Sequence, residues 1–250
     1  MEKRRGALWK YAKMPQIFYP DVELLVQSSR EGGYILEFIA NNPFTKSITD
    51  RVSEAISTAV GQSLEEGLFE STRLEDSLVR RIEQVRAGQF QPSDFEHMLD
   101  EPDANVIRTY GDRAIVREVD QILAIIRSKS AGNSFFELLL TGETSKRYNF
   151  NKFEAKRFHS AVSKKSLGHP VIYTAEVISL DKNNLNGKIK NTSTNHTSNI
   201  KFINKNELNK AIPYFEDDEI MHFIGCPFIE YGAFDPKAGD IYFIDMVNNG

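Results

Sequence analysis

One cysteine, Cys226, among 250 residues excludes an internal disulfide and suits a reducing compartment. No apolar run approaches the roughly 18 residues that a membrane-spanning helix needs, so no membrane partner is expected. Lys3, Arg4, Arg5, Lys10 and Lys13 crowd the start, but no apolar core or small-residue cleavage site follows them. A secretory leader is therefore not expected, and a cytoplasmic location is. Catalytic signatures are missing too. There is no glycine-rich phosphate loop, no paired metal-binding cysteines, no His-Glu-x-x-His helix, no Gly-x-Ser-x-Gly elbow and no kinase set. Gly32-Gly33 is too short for a phosphate loop and lies between two β-prone runs. No cofactor is expected.

What is present is the composition of a globular protein, 40% hydrophobic and 26% charged, long enough for one large or two ordinary domains. The net charge of −4 hides an uneven layout. Lys152 to Lys210 holds eleven basic and four acidic residues; Ala211 to Gly250 holds one basic and eight acidic. Up to Arg147 thirteen of nineteen basic residues are Arg, and beyond it one of twelve is. Nine asparagines fall between Asn183 and Asn209. Codon bias and separate module histories both account for this shift. It places a boundary near residue 150, giving an α+β domain at 1–149 and a connector helix with a β-barrel at 150–250.

The first domain is expected to hold a small antiparallel sheet with helices on one face. Val22–Ser28 and Tyr34–Ala40 read as strands around a Ser29–Gly33 hairpin loop, with Phe135–Leu140 returning as a third strand. Ser47-x-x-Asp50 opens a helix with the stripe Ile48, Val52, Ile56, Ala59 and Val60. Thr72-x-x-Glu75 opens another, with Leu74, Leu78, Ile82 and Val85 on one face and Gly88 past its end. Pro92-Ser93-x-x-Glu96 starts a short third. Asp112 precedes a fourth, striped by Ile115, Val119, Ile122 and Ile126. Asn151-x-x-Glu154 begins the connector, with Phe153, Phe158 and Val162 inside.

The last third organises the rest. Val171–Ser179, Gly187–Asn191, Asn199–Ile203, Glu219–Glu230 and Asp240–Val247 read as strands, with a helix over Lys205–Phe215. By strand order alone this third resembles a closed Greek-key barrel of the OB type. The whole chain, an α+β domain before a small barrel, resembles uncharacterised bacterial and phage-associated proteins. Both resemblances speak to fold, and folds host many functions.

Lys188, Lys190, Lys201 and Lys205 recur along the second and third barrel strands and just beyond them. The OB resemblance makes those strands the ligand face, where cations and exposed aromatics would hold single-stranded nucleic acid. Tyr173, Phe202 and Tyr242 are the aromatics at hand. The same alternation also describes an ordinary solvated strand face. Glu230, Asp235 and Asp240 form, with Asp245, an acidic group that would suit a divalent cation if it converged, although Asp235-Pro236 and Gly239-Asp240 also read as turn chemistry. His222 and Cys226 share a strand face by even spacing, as a metal pair needing two more ligands or as a buried thiol beside a histidine. His159 and His169 show no partner in the sequence.

The expected function is accordingly binding: a non-enzymatic interaction protein with the barrel as recognition surface. A protein partner is preferred, and single-stranded nucleic acid is the second partner class. The alternative class is a metal-dependent hydrolase or nuclease using Glu230, Asp235 and Asp240.

Overall fold

The computed structural model of the chain describes residues 22–27, 33–66, 74–235 and 239–247. In chain order the elements are β1 (Val22–Gln27), β2 (Gly33–Ala40), α1 (Pro43–Glu66), α2 (Leu74–Arg86), β3 (Ser93–Asp94) and α3 (Phe95–Asp100). Then come α4 (Tyr110–Arg127), β4 (Phe135–Thr141), β5 (Ser145–Phe150), α5 (Lys152–Val162) and β6 (Lys165–Leu167). The last are β7 (Val171–Asp181), β8 (Asn186–Asn191), β9 (Thr197–Lys201), α6 (Lys205–Asn209), α7 (Ile212–Glu216), β10 (Ile220–Glu230) and β11 (Ile241–Met246). The fold class is α+β, as expected. None of the described helices is long and apolar enough to cross a membrane.

Contacts divide the chain into two compact units, 1–70 with 109–164 and 71–108 with 165–250. The seams between these units lie at 70/71, 108/109 and 164/165, and the unit with the barrel also takes α2, β3 and α3. The helix α5, read as a connector leading the barrel, belongs to the first unit. The Arg-to-Lys shift in composition does not follow these contacts.

In the first unit four strands lie in the order β1-β2-β4-β5. The sheet expected to be antiparallel is mixed: β2 and β4 run parallel, because a long helical crossover separates them. Of the expected hairpin loop, residues 29–32 lie outside the described residues. Leu138 opposes Tyr148 and Phe136 opposes Phe150 across β4 and β5, so these four buried side chains share one face. Helix α1 starts at Pro43, four residues before Ser47, because Asn42 is its cap: the Asn42 carboxamide oxygen accepts from the Thr45 N–H at 2.9 Å, and Pro43 occupies the first helical position. Its buried face is small and hydroxylated, with Thr45, Thr49, Ser53, Ile56, Ala59 and Ser63. Helix α4 is capped by Thr109, whose hydroxyl accepts from the Asp112 N–H, and it buries Val116, Val119, Leu123 and Ile126. Ile115 is only half-buried and Ile122 faces solvent. Asn151 and Glu154 open α5 as expected, and they do so as a capping box. Phe158 and Val162 are buried, whereas Phe153 is 56% exposed beneath Arg157.

The second unit is built on a closed five-stranded mixed barrel, β7-β8-β9-β11-β10 and back to β7, consistent with the OB type. All its pairings are antiparallel except β9 with β11. Two short strands that the sequence reading missed extend it: β6 beside β10, and β3 beside β7. The interior is a chain of rings running Phe95, Tyr173, Phe223, Phe243, Phe202, with neighbouring centroids 5.3–5.9 Å apart. The helical segment expected at 205–215 is two short helices, with Pro213 in the first turn of the second; Leu208 and Ala211 enter the core. Close strand approach at the β7 bulge needs Gly187, where an added Cβ would lie 2.4 Å from the Ser179 carbonyl. Thr72, the expected opener of α2, lies outside the described residues. The helix itself runs as expected, burying Leu78 and Ile82 against Leu167, Cys226 and Ile244 on the outside of the barrel.

Candidate functional site: the outer face of the barrel

Strand alternation sends every second residue of β8 and β9 outward. Lys188 and Lys190 project from β8, and Thr197, Asn199 and Lys201 from β9, while Ile189 and Ile200 enter the core. The register sets Lys190 beside Glu176 and Thr197, Lys188 beside Asn199, and Lys201 beside Tyr242. Three of the expected site lysines thus lie on one surface. Lys205 does not: it begins α6, beyond the end of β9.

Of the three aromatic residues expected to accompany them, Tyr242 lies on this surface and Tyr173 and Phe202 do not. Tyr173 is 1% exposed and Phe202 5%; both are links in the interior ring chain and cannot meet a ligand. The rings on the outer face are Tyr242 and Phe228, both half-buried, with centroids 6.0 Å apart. Phe228 was missed because it sits in a continuous apolar run. The parity was there to be read: Phe223 points inward and Phe228 is five residues on, so it points out. Lys201 Nζ lies 5.3 Å from the Phe228 centroid and 5.6 Å from that of Tyr242, within the range of cation–π attraction. On the other side Lys165, at the start of β6, places its Nζ 5.7 Å from the Phe228 centroid.

Two carboxylates adjoin this surface. Asp240 accepts from Asn199 Nδ2 at 2.9 Å and pairs with Lys201 Nζ at 3.0 Å. Glu176 reaches Lys190 at 3.9 Å. Lys188 is exposed and forms no ion pair among the described residues. Burial pushes the Tyr242 phenol above its ordinary pKa, so it is neutral and able to donate.

The expected acidic and soft-ligand sets are not gathered. Asp240 is held by Lys201 and Asn199, Asp235 is buried in the loop after β10, and Glu230 ends β10 opposite Lys165. Among the described residues no group of three His, Cys, Asp or Glu side chains is placed to hold a metal ion. His222 and Cys226 do share the outer face, but α2 covers the thiol while His222 stays exposed, 3.1 Å from the Thr174 hydroxyl. Burial raises the Cys226 pKa to about 12, which makes it an inert packing residue.

Both histidines that lacked a partner in the sequence have one. His159 Nδ1 meets Asp120 at 2.9 Å, and Asp120 also takes Arg127, tying α4 to α5. His169 Nε2 lies 2.9 Å from the Gln91 carbonyl, so that nitrogen carries the proton. His169 lines a pocket of about 390 Å³ with His97, Met98, Asp103 and Pro227. Its Asp103 is already occupied by the main-chain N–H groups of Asn105 and His169. No protein-family model matches the chain, and no curated protein or solved structure matches it either.

Proposed function

We propose that this chain acts by binding, without catalysis, and that its recognition surface is the outer face of β8, β9 and β11 with the adjoining end of β10 and the start of β6. The observation that carries this reading is the clustering of Lys201 and Lys165 about the half-buried Phe228 and Tyr242, beside the exposed Lys188, which forms no ion pair among the described residues. The strand order supports it, since OB-type barrels use their second and third strands as a ligand face. The ligand is an acidic macromolecule. The metal-hydrolase alternative has no convergent carboxylates behind it among the described residues.

The test is retention on an immobilised sulfated polysaccharide at low salt. A protein with a net charge of −4 is retained only through a local basic surface. Lys188→Glu with Lys201→Glu should abolish retention, and Lys205→Glu should leave it nearly unchanged. Equal retention of all three proteins would place the basic surface elsewhere.

A further inference from the structure

We infer that the ligand of this face is single-stranded nucleic acid, whose bases pack on Phe228 and Tyr242 while its phosphates meet Lys165, Lys188 and Lys201. The inference rests on the binding reading above and names its ligand class.

Three lysines alone would serve any polyanion. What narrows the choice is the pair of rings set among them. A ligand that uses both must carry negative charge and flat apolar faces in alternation along its length, and must present those faces unpaired. Single-stranded nucleic acid does so; a duplex keeps its bases stacked inside, and an acidic peptide supplies charge without rings. The ammonium groups now near the rings are no obstacle. Each sits on a flexible stem, and the Lys201–Asp240 pair is solvent-accessible on both sides, 37% and 27% exposed, so exchanging Asp240 for a phosphate costs little. Asp240 and Asn199 hold Lys201 at the rings until a phosphate competes for it. Lys188, opposite Asn199 and without an ion pair among the described residues, extends the cationic path by one strand.

The experiment is fluorescence anisotropy of the full chain with labelled oligo(dT) and oligo(U) of about sixteen nucleotides, the upper end of what one such barrel covers. A duplex of the same length is the control. Single strands should bind more tightly than the duplex. Three phosphate contacts predict that log K falls with log salt at a slope near −2. Phe228→Leu and Tyr242→Leu should each weaken binding roughly five- to hundredfold, as loss of a stacking platform does. Lys188→Ala with Lys201→Ala should reduce the salt slope. Circular dichroism checks each variant; if Tyr242→Leu disturbs packing under α2, Phe228→Leu and the lysine pair still decide the matter. Duplex binding equal to single-strand binding, or leucine variants that bind like the parent, would overturn the inference and leave a basic docking surface for an acidic protein. No binding of either strand while polysaccharide retention persists would likewise overturn it and spare the binding reading. Loss of both would end both.

Discussion

The Tyr148 hydroxyl lies 2.7 Å from the main-chain carbonyl of Ser53, and that single contact sets the direction of a whole polar network. A carbonyl only accepts, so the phenol proton goes to Ser53. The hydroxyls of Ser53 and Ser57, each 2.8 Å away, then donate to the phenol oxygen, and Lys146 Nζ donates to Ser57 at 3.2 Å. Serine, tyrosine and lysine in contact resemble a nucleophilic site. Here the proton order runs the wrong way for one, since Lys146 is exposed and acts as donor. The network fastens α1 to β5.

Tyr148→Phe removes that fastening and leaves two serine hydroxyls beneath the helix without their acceptor. The expected cost is about 1–3 kcal/mol, the range for orphaned buried polar groups. Chemical denaturation of the full chain measures it, and no change in the transition of the first unit would contradict the assignment.

In the second unit Arg86, Glu207, Lys210 and Asp245 join α2, α6 and β11 in one ionic cluster. Partial burial pushes the Asp245 carboxyl up, but hydrogen bonds from Lys210, Arg86 and the Met246 N–H outweigh it, and its pKa lies below the ordinary carboxylate value. A depressed folded-state pKa gives stability that is present above the unfolded value, about 3.9, and is lost as pH falls through the folded one. Asp245→Asn should therefore lower the unfolding free energy at pH 7, by no more than about 1 kcal/mol for so exposed a group, with the gap closing below about pH 4. A gap that widens in acid would refute the cluster's role.

Two glycines should respond oppositely to alanine. At Gly187 the new Cβ meets a main-chain carbonyl at 2.4 Å, which cannot yield without opening the β7–β8 pair; about 1–3 kcal/mol should be lost. Gly61 lies inside α1 with nothing within 4 Å of the added carbon, and alanine there should stabilise by roughly 0.5–1 kcal/mol. Thermal melts of the two variants check both signs.

Cys226, with its thiol pushed up to about 12 by burial, should resist iodoacetamide at neutral pH in the folded protein and react readily in denaturant. Rapid labelling of the native chain would show that α2 does not cover it.

The barrel was legible because its strands are short β-prone runs separated by polar turns, so all five strands and the intervening helical segment lie within about two residues of the sequence reading. Other features left weaker traces. Strands β3 and β6 have two and three residues, too few for any period to show. The buried face of α1 is built from Thr45, Thr49, Ser53 and Ser63, which no hydrophobic stripe reveals. The placement of α2 on the barrel depends on long-range packing of Leu78 and Ile82, and an amphipathic helix does not state in its own sequence which core it joins. Tyr173 and Phe202 face the interior because strand parity with Ala175 and Ile200, and not residue type, decides the face.

The most direct measurement of the central claim is amide chemical-shift mapping while a short sulfated or nucleic-acid polyanion is titrated into the labelled protein. The account predicts that the shifted amides cluster at Lys188, Asn199, Lys201, Phe228 and Tyr242. Shifts confined to the helices at 43–66, 110–127 and 152–162, or no shifts at low salt, would contradict it.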